Sequence, residues 1–122
     1  RAANEVAGEI KKETYYIRPS EGKDKKGETK NWPKNKDMTN ILWKAQSIVV
    51  NQNRYTTLYM DHPGNPKPSY YSERDYGRFG SFFKTSISPG KPLSIKYRLN
   101  IGNLERLPAE CQSMSNQFIE IE

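Results

Sequence analysis

From Leu93 to Ile101, apolar residues occupy every second position: Leu93, Ile95, Tyr97, Leu99 and Ile101 alternate with Ser94, Lys96, Arg98 and Asn100. Successive side chains of extended backbone point to opposite sides, so a period of two predicts a strand with one buried and one wet face. No helix presents such a pattern to a core. The chain is therefore committed to a sheet, and its other segments read as candidates to pair with this strand or to cover it.

Residues 39–50 and 54–60 are rich in aliphatic, aromatic and β-branched residues and flank Asn51-Gln52-Asn53. Asparagine tolerates positive φ, so this arrangement predicts a β-hairpin. A shorter β-rich run at 14–18 stops at Pro19, and strand character returns at 79–85 before the turn signal Ser88-Pro89-Gly90. Leu104, Leu107, Cys111, Met114 and Phe118 recur at helical spacing, and Pro108 is acceptable in a first turn. That predicts a short helix near 107–118 packed on the sheet, followed by a closing strand at 118–122. Residues 19–38 carry Gly22, Gly27, Pro33 and six of the thirteen lysines without either period, which predicts a long basic loop. The expected fold is mainly β: an antiparallel β-sandwich, or half of a larger one, with one short C-terminal helix.

Composition bounds what such a sheet can do. Hydrophobic residues make up 34% of 122, enough for one modest core and too few for two. A thin core suggests that a partner chain, a missing half or a homo-oligomer completes the sheet. The net charge of +6 lies mostly between Lys11 and Lys36, where nine basic residues face four acids. This favours acidic partners. One cysteine and one histidine exclude a disulfide scaffold and a zinc module, and no cofactor is expected. Cys111, at an apolar helical position, reads as an inert packing residue. No apolar run approaches the length of a membrane span. The start at Arg1, without Met or a signal-peptide pattern, suggests a processed product or part of something longer.

Chemistry concentrates in the segment Asp61-His62-Pro63-Gly64-Asn65-Pro66 and the later Tyr70-Tyr71-Ser72-Glu73-Arg74-Asp75-Tyr76-Gly77. Imidazole shuttles protons near neutral pH, and a guanidinium holds a carboxylate or oxyanion bidentately. His62, Arg74 and Asp61 are thus the catalytic candidates if the protein is an enzyme, which the sequence leaves open. Glu73 could supply a second carboxylate. Asn65, Tyr71 and Tyr76 are candidate substrate-binding residues, joined by Trp32, an indole among lysines that offers a stacking surface. The alternative is structural: His62 and Arg74 hold a turn, and ion pairs absorb the acids.

These residues also carry a resemblance. The run 58–66, then Arg74-Asp75-Tyr76-Gly77 and the run 91–99, resembles the bacterial proteins often labelled "methane oxygenase PmoA" over roughly residues 40–118. The match is to the C-terminal part of that usually longer family, which implies an N-terminal half that is missing or supplied by another chain. It also implies a β-sandwich found beside polysaccharide-degrading genes, a carbohydrate-linked role, and a periplasmic or secreted location. The family's Asp-His-Pro-x-Asn-Pro falls on Asp61, His62, Pro63, Asn65 and Pro66, and its Arg-x-Tyr-Gly on Arg74, Tyr76 and Gly77. Where the family has Trp-His-x before that arginine, this chain has Tyr71-Ser72-Glu73, which removes a second histidine. A copper or iron oxygenase site needs more nitrogen and oxygen ligands than this chain gathers in one motif, so the oxygenase label does not fit and no metal is expected. Three functional classes follow: a carbohydrate-binding or carbohydrate-active protein, an assembly subunit whose sheet is completed by a partner chain, and, ranked last, a nucleic-acid binder using the 11–36 basic stretch.

Overall fold

The computed structural model describes residues 8–120. It is mainly β, with two antiparallel sheets and one C-terminal helix in a sandwich-like arrangement. A 3₁₀ turn at Gly8–Glu13 leads into β1 (Tyr15–Arg18) and the two-residue β2 (Gly22–Lys23), followed by β3 (Trp43–Val50) and β4 (Asn53–Asp61). Next come β5 (Ser69–Glu73), β6 (Phe79–Phe83), β7 (Tyr97–Asn103) and the helix α1 (Pro108–Glu120). The larger sheet has the order β2-β1-β3-β4-β7, and β5 pairs with β6 alone as the smaller one.

The expected hairpin is the spine of this fold. Val50 pairs with Asn53, so only Asn51 and Gln52 form the turn, at φ of 49° and 67°. Two positive φ angles in a two-residue connection match the right-handed twist of the strands it joins. Register then sorts the side chains: Trp43 opposite Met60 and Ala45 opposite Leu58 share one face, while Lys44 opposite Tyr59 and Gln46 opposite Thr57 share the other.

Helix α1 covers the first face. Cys111 and Phe118 pack with Tyr15, Ile17, Trp43, Ala45, Leu58 and Met60, and Met114 packs at the margin. Pro108 sits at the start, and the Leu107 amide donates to Glu110 Oε1 at 3.0 Å, satisfying a donor that the first turn leaves open. Each fully buried large side chain contributes roughly 1.5–3 kcal/mol of transfer free energy, so this layer is the main hydrophobic support of the molecule.

Several sequence expectations shift. The alternation from Leu93 predicts a longer strand, yet β7 starts at Tyr97, because Tyr97 pairs with Asp61 and β4 ends there. Residues 93–96 have no strand left to join. The 79–85 strand ends at Phe83, and an unexpected strand, β5, forms in the segment that carries Tyr71 and Glu73, for which no strand is expected from the sequence. The expected closing strand at 118–122 is replaced by the last turn of α1 through Glu120, and 121–122 lie outside the described residues.

The second face of the large sheet is divided. The β5–β6 hairpin covers the end carrying Tyr16, Arg18 and Lys44. The other end is an open trough of about 560 Å³ lined by Ile48, Val50, Tyr55, Leu99, Ile101 and, from the hairpin, Phe79. Leu99 and Ile101 are 58% and 69% exposed, so the apolar side of the expected half-buried strand has no cover among the described residues.

Candidate functional site

The sequence candidates fall into four places. Asp61, Asn65 and Tyr71 come together in a buried network. Asn65 Nδ2 donates to Asp61 Oδ1 and the Tyr71 hydroxyl lies against Asp61 Oδ2, each at 2.7 Å, with the Ile41 carbonyl oxygen also against that hydroxyl. Burial holds the Tyr71 phenol far above its usual range, and the charge of Asp61 adds to the shift. Asn65 also exchanges two 2.7 Å hydrogen bonds with the backbone of Lys96, donating from Nδ2 and accepting at Oδ1. This pair tethers the start of β7 to the 61–65 turn.

His62 turns to the helix side. Its Nδ1 accepts from the Gly64 amide at 3.0 Å, and its ring meets Phe118 edge-on with centroids 5.6 Å apart. Gly64 permits the close fold, since a Cβ there would lie 3.1 Å from Nδ1. The accepting Nδ1 leaves the proton on Nε2, which is buried and has no hydrogen-bond partner among the described residues. Arg74 and Tyr76 lie in the connection between β5 and β6. The Arg74 side chain is exposed, and Nη1 donates to Asn31 Oδ1 at 2.5 Å and to the Glu73 carbonyl at 2.8 Å. The structure does not join His62 to Arg74, because the 63–68 turn and the whole of β5, about 17 Å of extended chain, separate them in sequence.

The strongest electrostatic cluster was not legible as a site. Glu73 is fully buried and accepts from Arg18 Nε at 2.9 Å, Arg18 Nη2 at 2.5 Å and the Lys30 amide at 2.9 Å, with Lys44 Nζ at 3.0 Å. Arg18 Nη1 also donates to Asp24 at 2.8 Å. Burial pushes Lys44 down to about 8 against the pull of Glu73, whereas Glu73 and Asp24 outweigh burial at Arg18 and raise it. The signal for Lys44 lay in the hairpin alternation, which puts Lys44 and Gln46 on the face opposite Trp43 and Ala45. A pocket of about 320 Å³ opens beside Arg18, between Met38, Trp43 and Gln112, but the guanidinium facing it is already paired.

Trp32 occupies the fourth place. It stacks on Tyr70 with centroids 4.0 Å apart and meets Phe82 edge-on at 6.4 Å, while Lys36 Nζ lies 5.7 Å from its centroid. Alternation along the hairpin explains this ledge: Ser69, Tyr71 and Glu73 point inward, which leaves Tyr70 and Ser72 outward, and Phe82 pairs with Tyr70. Phe82 is 47% exposed. Tyr70 and Phe82 are therefore surface aromatics that the motif-based reading missed, although the alternation of β5 carried the signal. Cys111 is buried, and burial pushes its thiol up to about 11, which keeps it from acting as a thiolate.

Among the described residues no cluster of His, Cys, Asp and Glu could hold a metal ion, and no helix is long and apolar enough to cross a membrane. The fold and these regions define a mainly β, sandwich-like protein with a sealed polar interior at one end of its sheet and an aromatic ledge outside it. The chain belongs to a family of unknown function, DUF6807, whose model matches residues 1–115. No curated protein and no solved structure matches it.

Proposed function

We propose that this chain is a carbohydrate-linked β-sandwich protein that binds an oligosaccharide on the outward face of the β5–β6 hairpin. The observation that carries the reading is the ledge of Trp32, Tyr70 and Phe82. Sugar rings present flat C–H faces that aromatic side chains bind, and here the rings are held by a hairpin whose inner side is locked to the sheet through Tyr71 and Glu73. Asp61, Asn65 and Tyr71 act as the scaffold of the ledge, since the Trp32 amide donates to the Tyr71 carbonyl at 3.1 Å. Trp32 and Phe82 hold the sugar directly, with Tyr70 stacked against Trp32 as its support. The resemblance to proteins found beside polysaccharide-degrading genes agrees with this reading and with a periplasmic or secreted location. Isothermal titration of the purified chain with a panel of oligosaccharides tests it: binding that is lost in Trp32→Ala supports the reading, and absence of binding to every glycan, or binding indifferent to Trp32→Ala, overturns it.

A second reading is favoured by the trough. Five strands lie below and two above, and β6 pairs only with β5 among the described strands while its Phe79 borders the trough. A partner polypeptide adding β structure at the β6 edge would cover Ile48, Leu99 and Ile101, the arrangement expected of an assembly subunit. Sedimentation and dye binding test it. The isolated chain should self-associate or bind an apolar dye through this face and lose that behaviour in Leu99→Lys/Ile101→Lys; a monomer that binds no dye overturns it.

A further inference from the structure

The outward face of the hairpin carries information about the charge of its ligand, an inference that rests on the oligosaccharide reading above. β5 and β6 are five residues each, about 17 Å of extended chain, which is room for roughly three pyranose rings. Along this strip the outward positions are aromatic at one end, Tyr70 and Phe82, and small at the other, where Ser72 pairs with Gly80. A Cβ at Gly80 would meet nothing within 4 Å, so the surface is open there. Cations stand at both ends. Lys36 lies over Trp32 beside the aromatic end, where Lys84 follows β6, and Arg74 and Arg78, both exposed, flank the hairpin turn.

We propose that the β5–β6 face binds a linear acidic oligosaccharide, a chain of uronic acid type, with pyranose faces on Trp32 and Phe82 and carboxylates at Lys36 and Arg78. Two features separate this ligand from a nucleic acid, the other polyanion that stacks on aromatics. Trp32 and Tyr70 are already stacked on one another, so there is no slot for a base between them, and only a flat outer surface remains. Three of the six lysines of the basic loop are also already paired: Lys23 with Glu105, Lys26 with Glu13, and Lys30 with Glu21 and Asp37. The remaining cations stand at the two ends of the strip, within reach of carboxylates near the ends of a short uronate chain, and do not form the dense patch that a phosphate backbone requires. Because Lys30 engages Asp37, the neighbouring Lys36 keeps its charge available to a ligand.

The test titrates the 122-residue chain with tetragalacturonate, with a neutral tetrasaccharide of the same length, and with a single-stranded oligonucleotide, at about 0.05 M and 0.5 M salt. The acidic tetramer should bind more tightly than the neutral one. Phe82→Ala, a change at a half-exposed ring that leaves the core intact, should weaken both glycans by about tenfold through the lost stacking surface. Lys36→Gln with Arg78→Gln should weaken the acidic tetramer about fivefold, the scale of two exposed ion pairs, and leave the neutral one unchanged. Circular dichroism of each variant confirms the fold independently of binding. Equal affinity for the neutral and acidic tetramers overturns the inference and leaves the oligosaccharide reading standing. Binding of neither glycan overturns both. Tighter binding of the oligonucleotide with a steep salt dependence assigns the strip to nucleic acid and overturns the uronate assignment.

Discussion

The two ends of one sheet face are built on opposite principles. At one end Arg18, Lys44, Glu73, Asp61 and Tyr71 are sealed beneath the hairpin, and at the other Ile48, Val50, Leu99 and Ile101 line an open trough. Charges are buried and aliphatics are exposed, the reverse of what solvation alone would select. The polar end persists because every charge there has a partner. The apolar end has the composition of a core whose second layer is incomplete. A buried ion cluster gives little net stability but punishes the loss of one member, whereas an uncovered apolar patch tolerates charge. Substitutions at the two ends should therefore differ sharply in sign and size.

The largest effect is expected at Glu73. Replacing it by glutamine keeps the shape but leaves Arg18 and Lys44 without their shared carboxylate, at a cost of about 3–5 kcal/mol. Urea denaturation of Glu73→Gln measures this. A loss below about 1 kcal/mol would mean that water reaches the cluster and that the two ends are not so different. Next in size is Tyr71→Phe, which removes the hydroxyl that lies against Asp61 and Ile41 and should cost about 1–3 kcal/mol because buried acceptors lose a donor. If the hairpin is held mainly through this contact, the same variant will also loosen Trp32, visible as a change in indole fluorescence.

The sheet could be read from the sequence because its face-sorting pattern is local: the Asn51-Gln52 turn, the alternation of β7 and the helical spacing of Cys111, Met114 and Phe118 each lie within a few residues. The hairpin β5 could not, because its inward residues Ser69, Tyr71 and Glu73 are polar and pack against charges from β1 and β3 that are distant in sequence. Polar-in alternation is indistinguishable from a loop until its partners are known. The same cause scattered the candidate site. Proximity in sequence suggested that His62, Asp61 and Arg74 act together, whereas the strand between them carries Arg74 away and the 62–64 turn aims His62 at Phe118. Trp32 was singled out by its isolation among lysines, and its stacking partners Tyr70 and Phe82 became apparent only once β5 and β6 were paired.

Protonation of Lys44 sharpens the comparison further. Its folded value of about 8 lies below the ordinary value of 10.5, so between these pH values the unfolded chain binds more protons than the folded one. By linkage, stability contributed by this group rises as pH increases through that window, and the penalty is fully present below pH 8. Tyr16, Tyr59 and the Cys111 thiol work in the opposite sense at higher pH, since burial raises all three and the unfolded chain ionises first, the thiol from about pH 9. Thermal unfolding between about pH 8 and 9 should accordingly show a rise in the wild-type chain. Lys44→Met should flatten that rise while leaving Glu73 paired with Arg18.

The smallest effect on stability is expected where the sequence looks most core-like. Leu99 and Ile101 point into the trough with more than half of their surface in water, so Leu99→Lys/Ile101→Lys should change the unfolding free energy of the isolated chain by less than about 1 kcal/mol. A lysine introduced at such a position keeps its ammonium in water and lays its stem along the neighbouring aliphatics. An equivalent change on the helix-covered face, at Leu58, would bury a charge and prevent folding. If the double lysine variant instead lost several kcal/mol, the trough would have to be covered in the isolated chain, by self-association, and the same variant would shift the sedimentation coefficient together with the unfolding midpoint. Coincidence of those two shifts over a range of protein concentrations separates a covered face from an open one, because only an interface makes stability depend on concentration.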